Sequence, residues 1–130
     1  MQKKLIVPLA LALLAPLAAF SETWKPVTGT PTVQIDVDSR AQSDVTDLVN
    51  KNYFSANVRA DLPDDKRMLI TVVYDCAAKA PTLVGQRITA QALVDGKMAD
   101  TETQVAKVTQ PVAPNDLAGK MAYQVACQKK

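Results

Sequence analysis

The 130-residue sequence contains no histidine. That single absence removes Ser-His and Cys-His nucleophilic sites together with the commonest metal-ligating side chain. Glycine is almost as scarce, at four residues, and no glycine-rich phosphate cradle can be assembled from so few. No D-x-D-x-D-G loop with a distal glutamate occurs: the Asp36-Val-Asp38-Ser39 stretch matches too little of an oxygen-ligated calcium loop. Nor is there a basic excess. Lys3 and Lys4 belong to a segment expected to be removed, and without them the 15 basic residues fall to 13, equal to the 13 acidic ones. A nucleic-acid binder would carry a basic stripe, so no nucleic-acid partner is expected, and Lys129 with Lys130 reads as a solvated tail.

What is present begins with an export signal. Lys3 and Lys4 precede an uncharged apolar run from Leu5 to Phe20 that holds Pro8 and Pro16 and ends in Ala18, Ala19 and Ser21. This is the layout of a cleavable secretory signal. A membrane span needs about 20 continuous apolar residues, more than this run supplies. Residues 1–21 are therefore expected to be a signal peptide, with Glu22 as the new N-terminus and no membrane span after cleavage. No cysteine lies near the cleavage site, which argues against a lipid anchor. The mature residues 22–130 fit one domain.

Cys76 and Cys127 are the only cysteines. In an oxidising compartment a lone pair reads as a structural disulfide. Without a histidine, a reactive thiolate lacks an activating partner.

Along the chain, Trp24 to Pro31 is rich in breakers and reads as extended or irregular. Val33, Ile35 and Val37 alternate with polar residues, predicting a strand over Thr32–Val37 at the sheet edge. Ser39 to Asp47 stays open, with Ser43 and Asp44 as turn or cap candidates. Phe54, Ala56, Val58 and Ala60 predict a second strand. The run Met68–Asp75 is nearly all apolar and predicts a central strand ending at Cys76. Val84, Ile88, Ala90, Ala92 and Val94 share one side of the next strand, Asp95-Gly96 signals a hairpin, and Met98 to about Val108 returns. Beyond Pro114 the apolar spacing changes to three and four, predicting an amphipathic helix with Asn115 as N-cap and Asp116 in the first turn. The fold class is α+β: an antiparallel sheet of five to six strands, a C-terminal helix packed on it, and one disulfide joining that helix to the central strand.

The paired carboxylates Asp36 with Asp38, and Asp64 with Asp65, have the composition of an acid–base site. Alternation and turn chemistry instead place them as solvated charges, so no catalytic residue, metal or cofactor is assigned and no enzyme is expected. Lys66 and Arg67 beside Arg59, or Arg87 near Lys97, could make a small positive patch. The first strand, as an edge, offers backbone groups for dimerisation or a bound peptide.

The order of landmarks resembles the surface-adhesin protein E family: a signal peptide, Trp24, Val33-Gln-Ile-Asp-Val-Asp-Ser39, Val73-Tyr-Asp-Cys76, then Pro114 before a helix ending Val125-Ala-Cys127. The resemblance spans nearly the whole mature chain and marks Trp24, Asp36, Ser39, Tyr74, Asp75, Cys76 and Cys127. It implies a sheet of about six strands with a packed helix, a Cys76–Cys127 bond, surface display, a homodimer, and binding of host extracellular matrix or serum proteins such as vitronectin or laminin. The function expected is thus an exported, non-catalytic surface or periplasmic binding protein of adhesin type. Two alternatives are a periplasmic inhibitor of a host lysozyme or protease, which an activity assay separates, and a periplasmic envelope protein without a host partner, which cell fractionation separates.

Overall fold

A computed structural model describes residues 23–128; the expected signal segment, its cleavage site and the Lys129–Lys130 tail lie outside the described residues. Among the described residues six strands precede one helix: β1 (Trp24–Val27), β2 (Thr30–Gln42), β3 (Tyr53–Leu62), β4 (Lys66–Asp75), β5 (Thr82–Val94), β6 (Lys97–Pro111) and α1 (Leu117–Cys127). Every neighbouring pair is antiparallel and spatial order follows chain order. The α+β class, the six-stranded antiparallel sheet and the C-terminal helix are therefore as the residue pattern predicts.

Alternation along the strands divides side chains between two faces. On one face Ile35, Ala56, Val58 and Tyr74 meet Ala122, Val125 and Ala126 of α1, with Val27 completing a buried cluster. Burying a side chain of valine size contributes about 1.5–3 kcal/mol; of the three buried positions of α1, Val125 is of that size, while Ala122 and Ala126 are small. A helix of 11 residues is marginal alone, so this apolar stripe and the Cys76–Cys127 disulfide hold it. The bond exists as expected, across a Cα–Cα distance of 5.4 Å.

On the opposite face a smaller cluster forms where the β2–β3 connection folds back: Val45 and Leu48 bury against Val73 and Val84. Leu48 lies so close to Gly85 that a Cβ there would collide with a Leu48 methyl and stand 2.6 Å from the Ala106 carbonyl oxygen. Only glycine lets that loop seat.

Three details depart from the sequence expectation, and one open stretch is settled. Trp24–Val27 is a strand paired to β2, so Thr32–Val37 lies in an interior strand, and among the described residues the sheet's edges are β1 and β6. The breakers at Pro26 and Gly29 did not prevent pairing, because Gly29 takes a positive φ of 78° in the tight turn between the two strands. Val84 does not share a side with Ile88 and Ala90: a register shift between Leu83 and Gly85 is a bulge that turns it to the other face. The open stretch Ser39–Asp47 splits, Ser39 to Gln42 continuing β2 and the rest forming the loop. The helix N-cap is Asp116, not Asn115; its carboxylate accepts from the Gly119 amide at 2.9 Å. The Asp95-Gly96 hairpin is as predicted, with both residues at positive φ (51° and 81°), as a type I′ turn requires.

Candidate functional site

Helix α1 lies over β2 and β3 and reaches β4 only lightly, so the β5–β6 hairpin projects beyond it. The face opposite the helix is uncovered away from the Val45–Leu48 loop, and register brings a polar row together there. Asp36 pairs with Asn57, Asn57 with Thr71, and Thr71 with Arg87. Thr71 Oγ1 donates to Asn57 Oδ1 at 3.1 Å, and Arg87 Nη2 donates to Thr71 Oγ1 at 3.4 Å. The neighbouring row runs Gln34, Arg59, Leu69, Thr89.

Trp24 stands at one side of these rows because β1 places it in register with Asp36. Its indole carries the Arg59 guanidinium 4.4 Å from the ring centroid, a cation–π contact. Arg59 also donates to Gln34 Oε1, while its buried Nε has no hydrogen-bond partner. Burial, and then the nearby Arg67 charge, push the Arg59 pKa down; the carboxylates of Asp61 and Asp36 oppose this. Trp24, Asn57, Leu69, Thr71, Arg87 and Thr89 bound a shallow cleft of about 220 Å³. Its chemistry is that of binding: one aromatic wall, one cation, hydroxyl and amide groups, and an apolar floor at Leu69.

The residues singled out by the sequence resemblance separate into two kinds. Trp24 lines this cleft, and Asp36 stands beside it in register with Trp24 and Asn57. Ser39 is structural: β2 bulges between Asp36 and Ala41, and the Ser39 hydroxyl fills the gap by donating to the Asp36 carbonyl at 2.6 Å and accepting from the Asn57 amide at 2.8 Å. Tyr74 is buried under α1, its hydroxyl donating to the Gly119 carbonyl at 3.1 Å and its ring meeting Tyr123 edge-on at 5.5 Å. Asp75 closes the turn after β4 by accepting from the Ala77 amide at 3.0 Å. Cys76 and Cys127 form the staple.

The two basic patches resolve differently. Arg67 is held by Asp61 at 2.9 Å, which offsets one of the three charges of the Arg59–Lys66–Arg67 group. Lys97 follows the hairpin turn and pairs with Val94, while Arg87 sits mid-strand opposite Val105, so these two do not combine. Asp64 and Asp65 occupy the β3–β4 turn at positive φ (64° and 57°), and Asp36 Oδ1 accepts from the Asp38 amide at 3.0 Å. Asn57, Thr71 and Thr89 carry no motif. Only cross-strand register assembles them with Trp24. Among the described residues, no group of three or more Cys, Asp or Glu is placed to hold a metal ion.

No family model, no curated protein and no solved structure matches this chain.

Proposed function

We propose that residues 22–130 form an exported, non-catalytic binding protein of adhesin type, acting in the periplasm or at the outer surface with host matrix or serum proteins as partners. The observation that supports a binding role is the uncovered end of the sheet. Leu93, Val94, Val105 and Val108 all lie on the β5–β6 hairpin and are each 44–50% exposed. Single exposed apolar residues are ordinary on a surface, but several on one projecting element suit a protein partner. Strand β6 also presents 15 residues of free edge, a template for strand addition. Host partners and surface display come from the family resemblance.

The test is retention of purified residues 22–130 on immobilised matrix and serum proteins, with Val105→Asp and Val108→Asp lowering it. Absence of retention across such a panel counts against the adhesin reading. Cell fractionation with surface protease shaving distinguishes periplasm from outer surface.

A further inference from the structure

The cleft between Trp24 and Arg87 is built for one kind of contact. Among the described residues Arg87 reaches two groups: Thr71 Oγ1 at 3.4 Å and Asp44 at 3.9 Å, the latter with its side chain 85% exposed. So distant and solvated a carboxylate adds little. The guanidinium thus keeps N–H groups without a protein partner among the described residues, and a planar guanidinium binds carboxylates in a two-pronged geometry. Across the cleft, the Trp24 indole is braced by Arg59, and Leu69 lies between the walls.

Two quantities choose the occupant. Pockets that enclose a whole small molecule measure about 300–1,000 Å³, and this cleft, at about 220 Å³ and open to solvent, is smaller. It holds a side chain or two of something larger. The charge on offer is also a single one, since Arg87 is the cation that lines the cleft and Arg67 is already paired with Asp61. A singly charged carboxylate fits that single charge better than a phosphate dianion does.

We propose that this cleft is a subsite for an acidic side chain of a polypeptide partner, with Arg87 taking the carboxylate and Trp24 with Leu69 taking an adjacent apolar side chain. Thr71 and Asn57 act as positioning residues: the Thr71 hydroxyl meets the Arg87 guanidinium and itself rests on Asn57. Arg59 positions the indole. This rests on the binding-protein reading above and adds the chemistry of the partner and the place where it is read.

Trp24 is the only tryptophan, so its fluorescence reports the cleft directly. The probe is a short tryptophan-free peptide with Leu-Glu-Leu at its centre, titrated into residues 22–130. The expected result is a saturable change in Trp24 emission, weakened about tenfold or more when the peptide's glutamate is replaced by glutamine and equally when the protein carries Arg87→Gln, as befits loss of a charge-assisted hydrogen bond. Circular dichroism of R87Q checks that the fold is kept, and the glutamine peptide tests the same contact on the unaltered protein. Several results would overturn the proposal: no saturable change, equal responses to the Glu and Gln peptides, the same response to inorganic phosphate, or a response only to a glucuronate-bearing oligosaccharide. If R87Q retains full binding to an immobilised matrix protein that the unaltered protein binds, this subsite falls while the adhesin reading stands. If the peptide binds as expected but no matrix or serum protein does, the subsite stands and the host partner falls.

Discussion

Arg40 of β2 donates its Nε hydrogen bond to the carbonyl of Ala126 in the last turn of α1, at 3.0 Å and across 86 positions of sequence. The helix has no basic residue of its own in that turn, so a strand supplies the cation that its negative C-terminal end favours. The same guanidinium lies 4.1 Å from the Phe54 ring centroid. With the disulfide at the next residue, this fixes the helix end to the sheet twice.

Arg40→Ala is expected to lower stability by about 1–2 kcal/mol, the lower part of the range for a hydrogen bond from a charged group because the site is partly solvated. Arg40→Lys recovers only part of this, since it lacks the planar fork. Urea midpoints of the three proteins, at unchanged slope, check the ordering.

The disulfide closes a loop of 51 positions, and the chain-entropy model assigns such a crosslink roughly 4 kcal/mol. In a domain of total stability about 5–15 kcal/mol, the Cys76→Ala/Cys127→Ala protein should melt roughly 15–30 °C lower. Mass spectrometry with and without reductant checks the bond itself, and free thiols at both positions in the exported protein would remove the basis of this expectation.

At the helix start, a Cβ on Gly119 would collide with the Asp116 carboxylate that caps it. Gly119→Ala therefore gains about 1 kcal/mol of helix propensity and loses about 1 kcal/mol of capping, leaving a change near zero. In an Asp116→Ala background the cap is already absent, and the same substitution should stabilise by about 1 kcal/mol. A double-mutant cycle measured by denaturation reads the difference.

Tyr74 gives the fold an alkaline limit. Burial first, and the Asp116 carboxylate second, raise its phenol pKa above the ordinary value. A group whose folded pKa is raised contributes its full stability below the unfolded pKa, here about 10. That contribution is lost as pH climbs beyond it, because the unfolded chain ionises while the folded chain holds its proton. Tyr74→Phe should cost about 1 kcal/mol at neutral pH through the lost bond to Gly119, yet flatten the fall in stability above about pH 10. Equal slopes for the two proteins in that window would contradict this assignment.

Much of the architecture is legible residue by residue. Period-two alternation marks β2, β3 and β5, the Asp95-Gly96 turn marks the return strand β6, the continuous run Met68–Asp75 marks the central strand, and the change to three-and-four spacing marks α1. These signals survive because each reports a local periodicity that a half-buried strand or helix must have. What escaped has no local signature. β1 holds Pro26 and is only four residues long, and its pairing depends on a partner strand that propensity does not see. Val84 changed face because one bulge shifts the count.

The candidate site divides along the same line. Sequence alone determined the absence of histidine chemistry, the cysteine pair, and the strand on which each polar residue sits. Tertiary structure alone decided that Trp24, Asn57, Thr71 and Arg87 share one cleft, that Arg67 is neutralised by Asp61 while Arg87 is not, and that Arg40 ends a helix 86 positions away. The physical reason is register. Antiparallel pairing sets which residues stand side by side, and a shift of one position sends a side chain to the other face.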